Sequence, residues 1–286
     1  MKISLHLGAH KTASTYLQKT LEANRANLSS AAVYHIPMRQ FRTSITANLG
    51  DPSPNFSERV AALLEPAANC DWVIISDENI LGSCEIFEDP SYYHSAAGRV
   101  GKLIEAFRGH EVEVFIATRS YDSFVSSMYC EFIRHHPFVT PEEYLAAADV
   151  DGLSWFELIG DLSKIVGEDR LTYWRFEDFD KLEQIVLSRI ARGGAIGRDS
   201  HGRVRESQSQ AGIEVLKGLR WLIGRQRTRL FVGRVGRLLP KRRGFRAFRA
   251  FGAGDALALA RRYESDLARL RSKYPALNFL DPVAEH

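Results

Sequence analysis

The chain has 286 residues, 45% of them hydrophobic and 26% charged, with 16 Phe, 10 Tyr and 4 Trp; that length and mix fit one large α/β domain or two small ones and exclude a wholly disordered chain. The formal charge of +3 hides an asymmetry: residues 217–249 hold 12 Lys/Arg and no acid, so the rest carries 26 basic against 35 acidic residues, a net of −9. No apolar run approaches the roughly 20 residues that span a bilayer, and Gly8 and charge interrupt the N-terminal stretch before it makes a signal peptide, so the sequence reads as cytoplasmic.

Taken in chain order, residues 2–7 alternate as a short strand and 8–13 form a tight loop. Residues 14–28 carry Tyr16, Leu17, Thr20, Leu21 and Leu28 at helical spacing. Residues 29–55 are mixed and broken by Pro37, Pro52 and Pro54. A helix is predicted over 56–64, a buried strand over 72–76, a helix over 92–107 and a strand over 113–118. Helices follow over 122–135, 141–148 and 154–166, then a strand over 171–175 and a helix from 179 to about 190. Residues 193–205 read as a Gly/Arg-rich linker, and helices dominate from 207 onward. Cys70, Cys84 and Cys130 are an odd number without metal-ligand spacing, which argues against a disulfide framework and against a structural metal.

Strands separated by helices need crossovers, so the fold class is α/β, a mostly parallel central sheet flanked by helices. Residues 1–286 read as a single domain, with 207–286 as its helical C-terminal extension. Ligands of such sheets bind beyond the carboxyl ends of the strands. Three predicted strands end on polar residues there: Gly8 to Thr15, Ser76-Asp77-Glu78-Asn79, and Thr118-Arg119-Ser120.

The first of these is strand, loop, then helix. Small residues let the backbone wrap a phosphate, helix-start amides point at it, Lys11 supplies a mobile charge, and Thr12, Ser14 and Thr15 supply hydroxyls. The Gly-x4-Gly-Lys-Ser/Thr spacing of a Walker A loop is absent. Arg119 ends a strand, and Ser127 follows eight residues later on the next predicted helix. An arginine there can clamp a phosphate in bidentate fashion.

These motifs resemble those of the sulfotransferases that use 3′-phosphoadenosine 5′-phosphosulfate, a family with a P-loop-like fold that includes bacterial members. Lys11-Thr12-Ala13-Ser14-Thr15-Tyr16-Leu17 is similar to the family's 5′-phosphosulfate loop, with His10 where proline is frequent and Ala13 where glycine is usual. Arg119, Ser127 and Tyr129 resemble its 3′-phosphate motif, with Ser120-Tyr121 replacing Asn-Pro. The run from Tyr173 to Phe179 and the run from Arg203 to Ser209 resemble two further family segments. The resemblance covers roughly residues 1–215.

What the resemblance implies is sulfuryl transfer from that donor to a hydroxyl, or less readily an amine, of a carbohydrate, glycolipid or small molecule. Lys11 would neutralise the leaving oxygen. The segment Lys11, Thr12, Ala13, Ser14, Thr15 and Tyr16 would hold the 5′-phosphate, Arg119 and Ser127 the 3′-phosphate, and Arg203 would reach the phosphates from the linker. No metal is implied. The family places its base near the end of a strand after the loop, which here selects Glu78, with Asp77 second and His10, His135 and His136 as further candidates. Tyr34, Phe41, Tyr92, Tyr93, Trp155 and Phe156 are either acceptor-stacking or core aromatics.

Two other readings stand beside this one. A kinase using Mg·ATP would need a hydroxyl after the loop lysine, which Thr12 provides, but the loop lacks its second glycine and the Arg119/Ser127 pair would have no purpose. A non-catalytic module binding nucleotides or anionic surfaces would have no use for both Lys11 and Glu78. The basic block 217–249 is either a solvated helix face or a docking surface for an anionic glycan, a lipid headgroup layer or the donor. Its sequence lacks a zinc finger or RNP box, so nucleic acid is not an expected partner.

Overall fold

The computed structural model describes residues 1–50, 55–83, 86–87, 90–192, 194, 196–197, 208–240 and 243–283. Its order is β1 (Lys2–Gly8), α1 (Ser14–Ala23), α2 (Arg25–Ser30), β2 (Val33–His35), α3 (Met38–Ser44), α4 (Phe56–Leu64), β3 (Trp72–Ser76), α5 (Ala96–Ala106) and β4 (Glu111–Thr118). Then come α6 (Tyr121–His135), α7 (Pro141–Ala147), α8 (Trp155–Val166), β5 (Leu171–Arg175), α9 (Phe179–Ala191), α10 (Gln210–Leu238), α11 (Ala253–Lys273) and β6 (Asn278–Leu280).

The six strands form one sheet in the order β2-β3-β1-β4-β5-β6, and every pairing is parallel. All carboxyl ends therefore lie along one edge. The chain leaves β1 toward β2 and β3 on one side, then crosses to β4 on the other. That reversal at β1 makes the crevice between the ends of β1 and β4 the place where a ligand fits. The ladder between β1 and β4 shifts register between His6 and Gly8, which releases Gly8 into the loop.

β1 is covered on both faces, as a central parallel strand must be. Ile3, Leu5 and Leu7 pack into a core built with α5, α6, α8 and α11. On the other face Ile74, Phe115, Ala117 and Trp174 pack under α1 and α9. His6 lies in this second layer, wholly buried, with Nδ1 2.7 Å from Ser76 Oγ, and burial pushes its imidazolium down to about 4.

The sequence predicts four of these strands; β2 and β6 are additions at the two sheet edges, each three residues long. The helix predicted over 14–28 is broken at Asn24, whose Nδ2 donates to the Thr20 carbonyl at 2.8 Å. Residues 29–55 hold α3 as well as β2. The helix predicted from 92 starts at Ala96, because Tyr93 takes a left-handed φ of 62°.

The C-terminal helices pack against the sheet domain. Asp266 on α11 accepts hydrogen bonds from Tyr121 Oη at 2.5 Å, Ser154 Oγ at 2.9 Å and the Phe156 amide at 3.3 Å. Tyr263 Oη pairs with Thr118 Oγ1 at 2.8 Å. α10 is two helices joined at Gly224, with φ 80° and ψ 166°, a region that residues with a Cβ avoid.

Candidate functional site

The loop after β1 is folded by its own side chains. Thr12 Oγ1 donates to the Ala9 carbonyl at 2.6 Å and accepts from the Ala9 amide at 3.2 Å. Ser14 Oγ donates to the same carbonyl at 3.2 Å. These two hydroxyls shape the loop, while Thr15 is exposed at its mouth. Lys11 and Ala13 take φ of 64° and 68° with Thr12 between them, and such alternation turns amides toward a common concavity. Each left-handed non-glycine residue costs roughly 1–2 kcal/mol, so the fold holds this shape against local preference. Gly8 is required for the same turn: a Cβ there would sit 2.5 Å from Ser14 Oγ.

α1 starts directly after Ala13; the Tyr16 amide bonds the Ala13 carbonyl at 2.9 Å, and the amides of Ser14 and Thr15 before it have no intrahelical acceptors. They face the loop with the positive end of the helix dipole behind them. Tyr16 lies further out, its Oη donating to Glu183 Oε1 at 2.7 Å. Glycine is not essential at position 13, since Ala13 adopts the left-handed conformation itself.

Arg119 crosses from the end of β4 to this loop. Its Nη1 donates to the Lys11 carbonyl at 2.5 Å and its Nε to Ser123 Oγ at 2.9 Å. Phe176 covers one face of the guanidinium at 4.6 Å, and Trp155 Nε1 donates to the Arg119 carbonyl at 2.7 Å. Ser123, Ser127 and Glu131 follow at four-residue steps on α6, which puts them along one face. Ser123 touches Arg119, and Glu131 Oε2 lies 3.0 Å from Lys11 Nζ. Ser127, buried, sits between those two contacts on the same helix face.

Glu131 also receives Arg134 and His135. Burial pushes its carboxyl up, but the Lys11 ammonium, Arg134 and His135 outweigh burial and hold it at about 2. The loop lysine is therefore paired with a carboxylate that is ionised near neutral pH.

The end of β3 supplies the acids. Asp77, wholly buried, accepts from Arg42 Nε at 3.0 Å and Nη2 at 2.5 Å, from Thr46 Oγ1 at 2.7 Å and from the Asn79 amide at 3.1 Å. Those four bonds make it a structural anchor. Glu78 Oε2 accepts from Gln18 Nε2 at 2.7 Å, and its Oε1 lies 3.3 Å from Arg42 Nη2. Burial pushes the Glu78 carboxyl up, yet His10, Arg42 and Gln18 together hold it below the usual carboxylate range.

His10 links loop and acids. Its amide and its Nδ1 both meet Tyr93 Oη at 2.9 Å, and its Nε2 meets Asn79 Oδ1 at 3.0 Å. Burial pushes its imidazolium down despite the pull of Glu78. Asn79 Oδ1 can only accept from Nε2–H, which leaves Nδ1 facing the Tyr93 hydroxyl.

So the structure brings Lys11, Thr12, Ala13, Ser14, Thr15, Arg119, Ser127 and Glu78 to one sheet edge around the β1 crevice. Arg203 lies outside the described residues. His135 and His136 sit at the far end of α6. Of the aromatic candidates, Phe41, Tyr92, Tyr93, Trp155 and Phe156 are core and Tyr34 packs against it; Tyr93 also bonds His10. Sequence reasoning missed Gln18, Arg42, Ser123 and Glu131, and named Asn79 only as part of the polar end of β3. Two of these carried a signal: Gln18 is four residues from Ser14, and Glu131 is four from Ser127. No metal-ligand grouping occurs among the described residues.

The donor set fits a phosphorylated nucleotide: an amide concavity at a helix start, a lysine, and an arginine beside an aromatic ring. No family model and no curated protein matches the sequence. Among solved structures, a sulfotransferase from Alicyclobacillus acidocaldarius is similar at 12% identity, covering 81% of this chain and 94% of that one, with a TM-score of 0.45. The sulfotransferase domain from the curacin biosynthetic pathway is similar at 13% identity, covering 70% of this chain and 75% of that one, with a TM-score of 0.35.

Proposed function

We propose that the protein is a cytoplasmic sulfotransferase, using 3′-phosphoadenosine 5′-phosphosulfate to sulfate a hydroxyl of a carbohydrate, glycolipid or small molecule. One observation carries the reading. The two segments that resemble the family's phosphate motifs lie 108 residues apart, yet Arg119 donates directly to the Lys11 carbonyl at the sheet's crevice.

The donor supplies the sulfuryl group, which passes in line to the acceptor oxygen as the sulfur–oxygen bond to its 5′-phosphate breaks. The chain's part is positioning and charge. Amides of residues 12–15 and the Thr15 hydroxyl hold the 5′-phosphate. Lys11 leaves Glu131 and stands against the oxygen that gains charge. Arg119 and Ser127 take the 3′-phosphate. Glu78 accepts the acceptor's proton at an ionised carboxylate oxygen.

Thermal unfolding tests the donor pocket without knowledge of the acceptor. Adenosine 3′,5′-bisphosphate at about 100 times its Kd stabilises by about 2.7 kcal/mol, enough to raise Tm by roughly 5 °C in a chain of this size. The rise should not need Mg²⁺. A rise with Mg·ATP alone would replace this reading with the kinase.

Arg119→Ala should weaken adenosine 3′,5′-bisphosphate far more than 5′-AMP, by about 10-fold or more for loss of a charge-assisted bond. Calorimetric titration of both ligands checks this. Equal loss for both would assign Arg119 to holding the loop rather than to the 3′-phosphate.

A further inference from the structure

The long helix α10 bears a surface that the proposed chemistry does not use. Among the described residues, five of the eight exposed large hydrophobic side chains lie on this one helix. Trp221 and Leu222, just before the break at Gly224, are 86% and 68% exposed; Leu230 and Leu238, beyond it, are 70% and 66% exposed.

Beyond Gly224 the helix has two faces. Thr228, Val232 and Val235 are buried against the protein. Arg227, Leu230, Arg234 and Leu238 fall at i, i+3, i+7 and i+11, which is one stripe, and Arg237 borders it. All five are exposed. The surrounding segment 217–249 is free of acids. The half of α10 that carries the stripe is held to the protein by buried Thr228, Val232 and Val235, and the half before Gly224 is anchored to α7 through Lys217–Glu142 and Arg220–Glu143.

We propose that this outward stripe docks on the surface of an anionic lipid bilayer. The charges match such a surface, and the cytoplasmic leaflet carries negative potential. The apolar residues decide between occupants. A soluble polyanion needs only the arginines and leaves Trp221, Leu222, Leu230 and Leu238 in water. A second copy of the chain would bring like charge against like. A bilayer interface takes both: leucine and tryptophan enter the headgroup–acyl boundary while the arginines reach outward to phosphates. No helix among the described residues is long and apolar enough to cross a membrane, and the docking is peripheral. This inference stands apart from the sulfotransferase reading.

Sedimentation with vesicles tests it. The full chain should bind vesicles made of equal parts phosphatidylcholine and phosphatidylglycerol and ignore vesicles of phosphatidylcholine alone. Binding should fade by about 1 M salt, where the Debye length is about 3 Å. Each arginine of the stripe changed to glutamine should cost about fivefold in partitioning. Leu230→Ser with Leu238→Ser should weaken binding further while leaving the Tm unchanged, since both side chains are exposed. Trp155 and Trp174 are wholly buried and Trp72 is half-buried at the amino end of β3, so a blue shift of emission on binding should vanish in Trp221→Phe and persist in Trp72→Phe.

Equal binding to both vesicle types, or binding to neither, overturns the proposal. So does competition by dextran sulfate together with indifference to the serine pair, which would make this a polyanion surface. A dimer in solution that the serine pair dissociates would make it a self-association surface, and that result overturns the proposal as well.

Discussion

Lys11→Ala should lower kcat about 100-fold or more, the scale of losing a charge that stabilises the transition state, while affinity for adenosine 3′,5′-bisphosphate should change far less. The fold should survive. Arg119 holds the backbone carbonyl of residue 11, which alanine retains, and the left-handed φ at this position strains alanine no more than lysine. Glu131 keeps Arg134 and His135 as partners, so the variant leaves no isolated buried charge. Release of adenosine 3′,5′-bisphosphate in the presence of an acceptor found by screening measures the effect. Unchanged turnover would remove Lys11 from the chemistry and leave it as a structural partner of Glu131.

Glu78→Gln is the second large effect, lower turnover by about 100-fold with donor affinity intact. General-base catalysis contributes typically about 10²–10⁴-fold, and a carboxyl held below its usual range is a weak proton acceptor, which favours the low end. Glutamine keeps the size of the side chain and an oxygen for Gln18 Nε2 to bond. Arg42 keeps its bidentate grip on Asp77, so the strand end should hold its shape. Full activity in this variant would move the proton to another group. Asp77 is a poor substitute because four donors already occupy its oxygens, which leaves the loop histidine, His10, as the next residue to replace.

The parts of the fold legible in the sequence were those with enough residues to make a pattern. β1, β3 and β4 are runs of five to eight residues rich in Val, Ile and Leu, and β5 is a five-residue run with Leu, Tyr and Trp, all bounded by turn or polar residues. β2 and β6 have three residues each, too few for alternation to register, and they exist because neighbouring strands offer an edge to pair with. The break at Asn24 is likewise tertiary: its side chain also meets the backbone of Gly197, far along the chain.

In the site, the loop and Arg119 were legible because their chemistry is local to one turn. Arg42 was not. It reaches Asp77 from a different crossover, and no spacing in the sequence links the two. Tyr93 was named only as an aromatic; its left-handed backbone and its bond to His10 have no signature in a tyrosine. Glu131 was within reach, since four-residue steps from Ser123 through Ser127 lead to it. Its pairing with Lys11 then required knowing that α6 lies along the loop.

The Asp266 hub also sets a clock. Asp266 holds Tyr121 and the start of α8, Tyr121 Oη in turn accepts from the Trp155 amide at 2.8 Å, and the Trp155 indole holds the Arg119 carbonyl. A ribosome delivers residue 266 about 150 residues after Arg119, which at about 5–20 residues per second is a delay of roughly 7–30 s. β6, still later in the sequence, closes the edge of β5. During synthesis the nascent chain therefore holds the loop after β1 long before it holds the floor beneath Arg119, with the edge of β5 open to wrong partners. Nothing bound at the β1 crevice can rescue that interval, because the support beneath Arg119 has yet to be made.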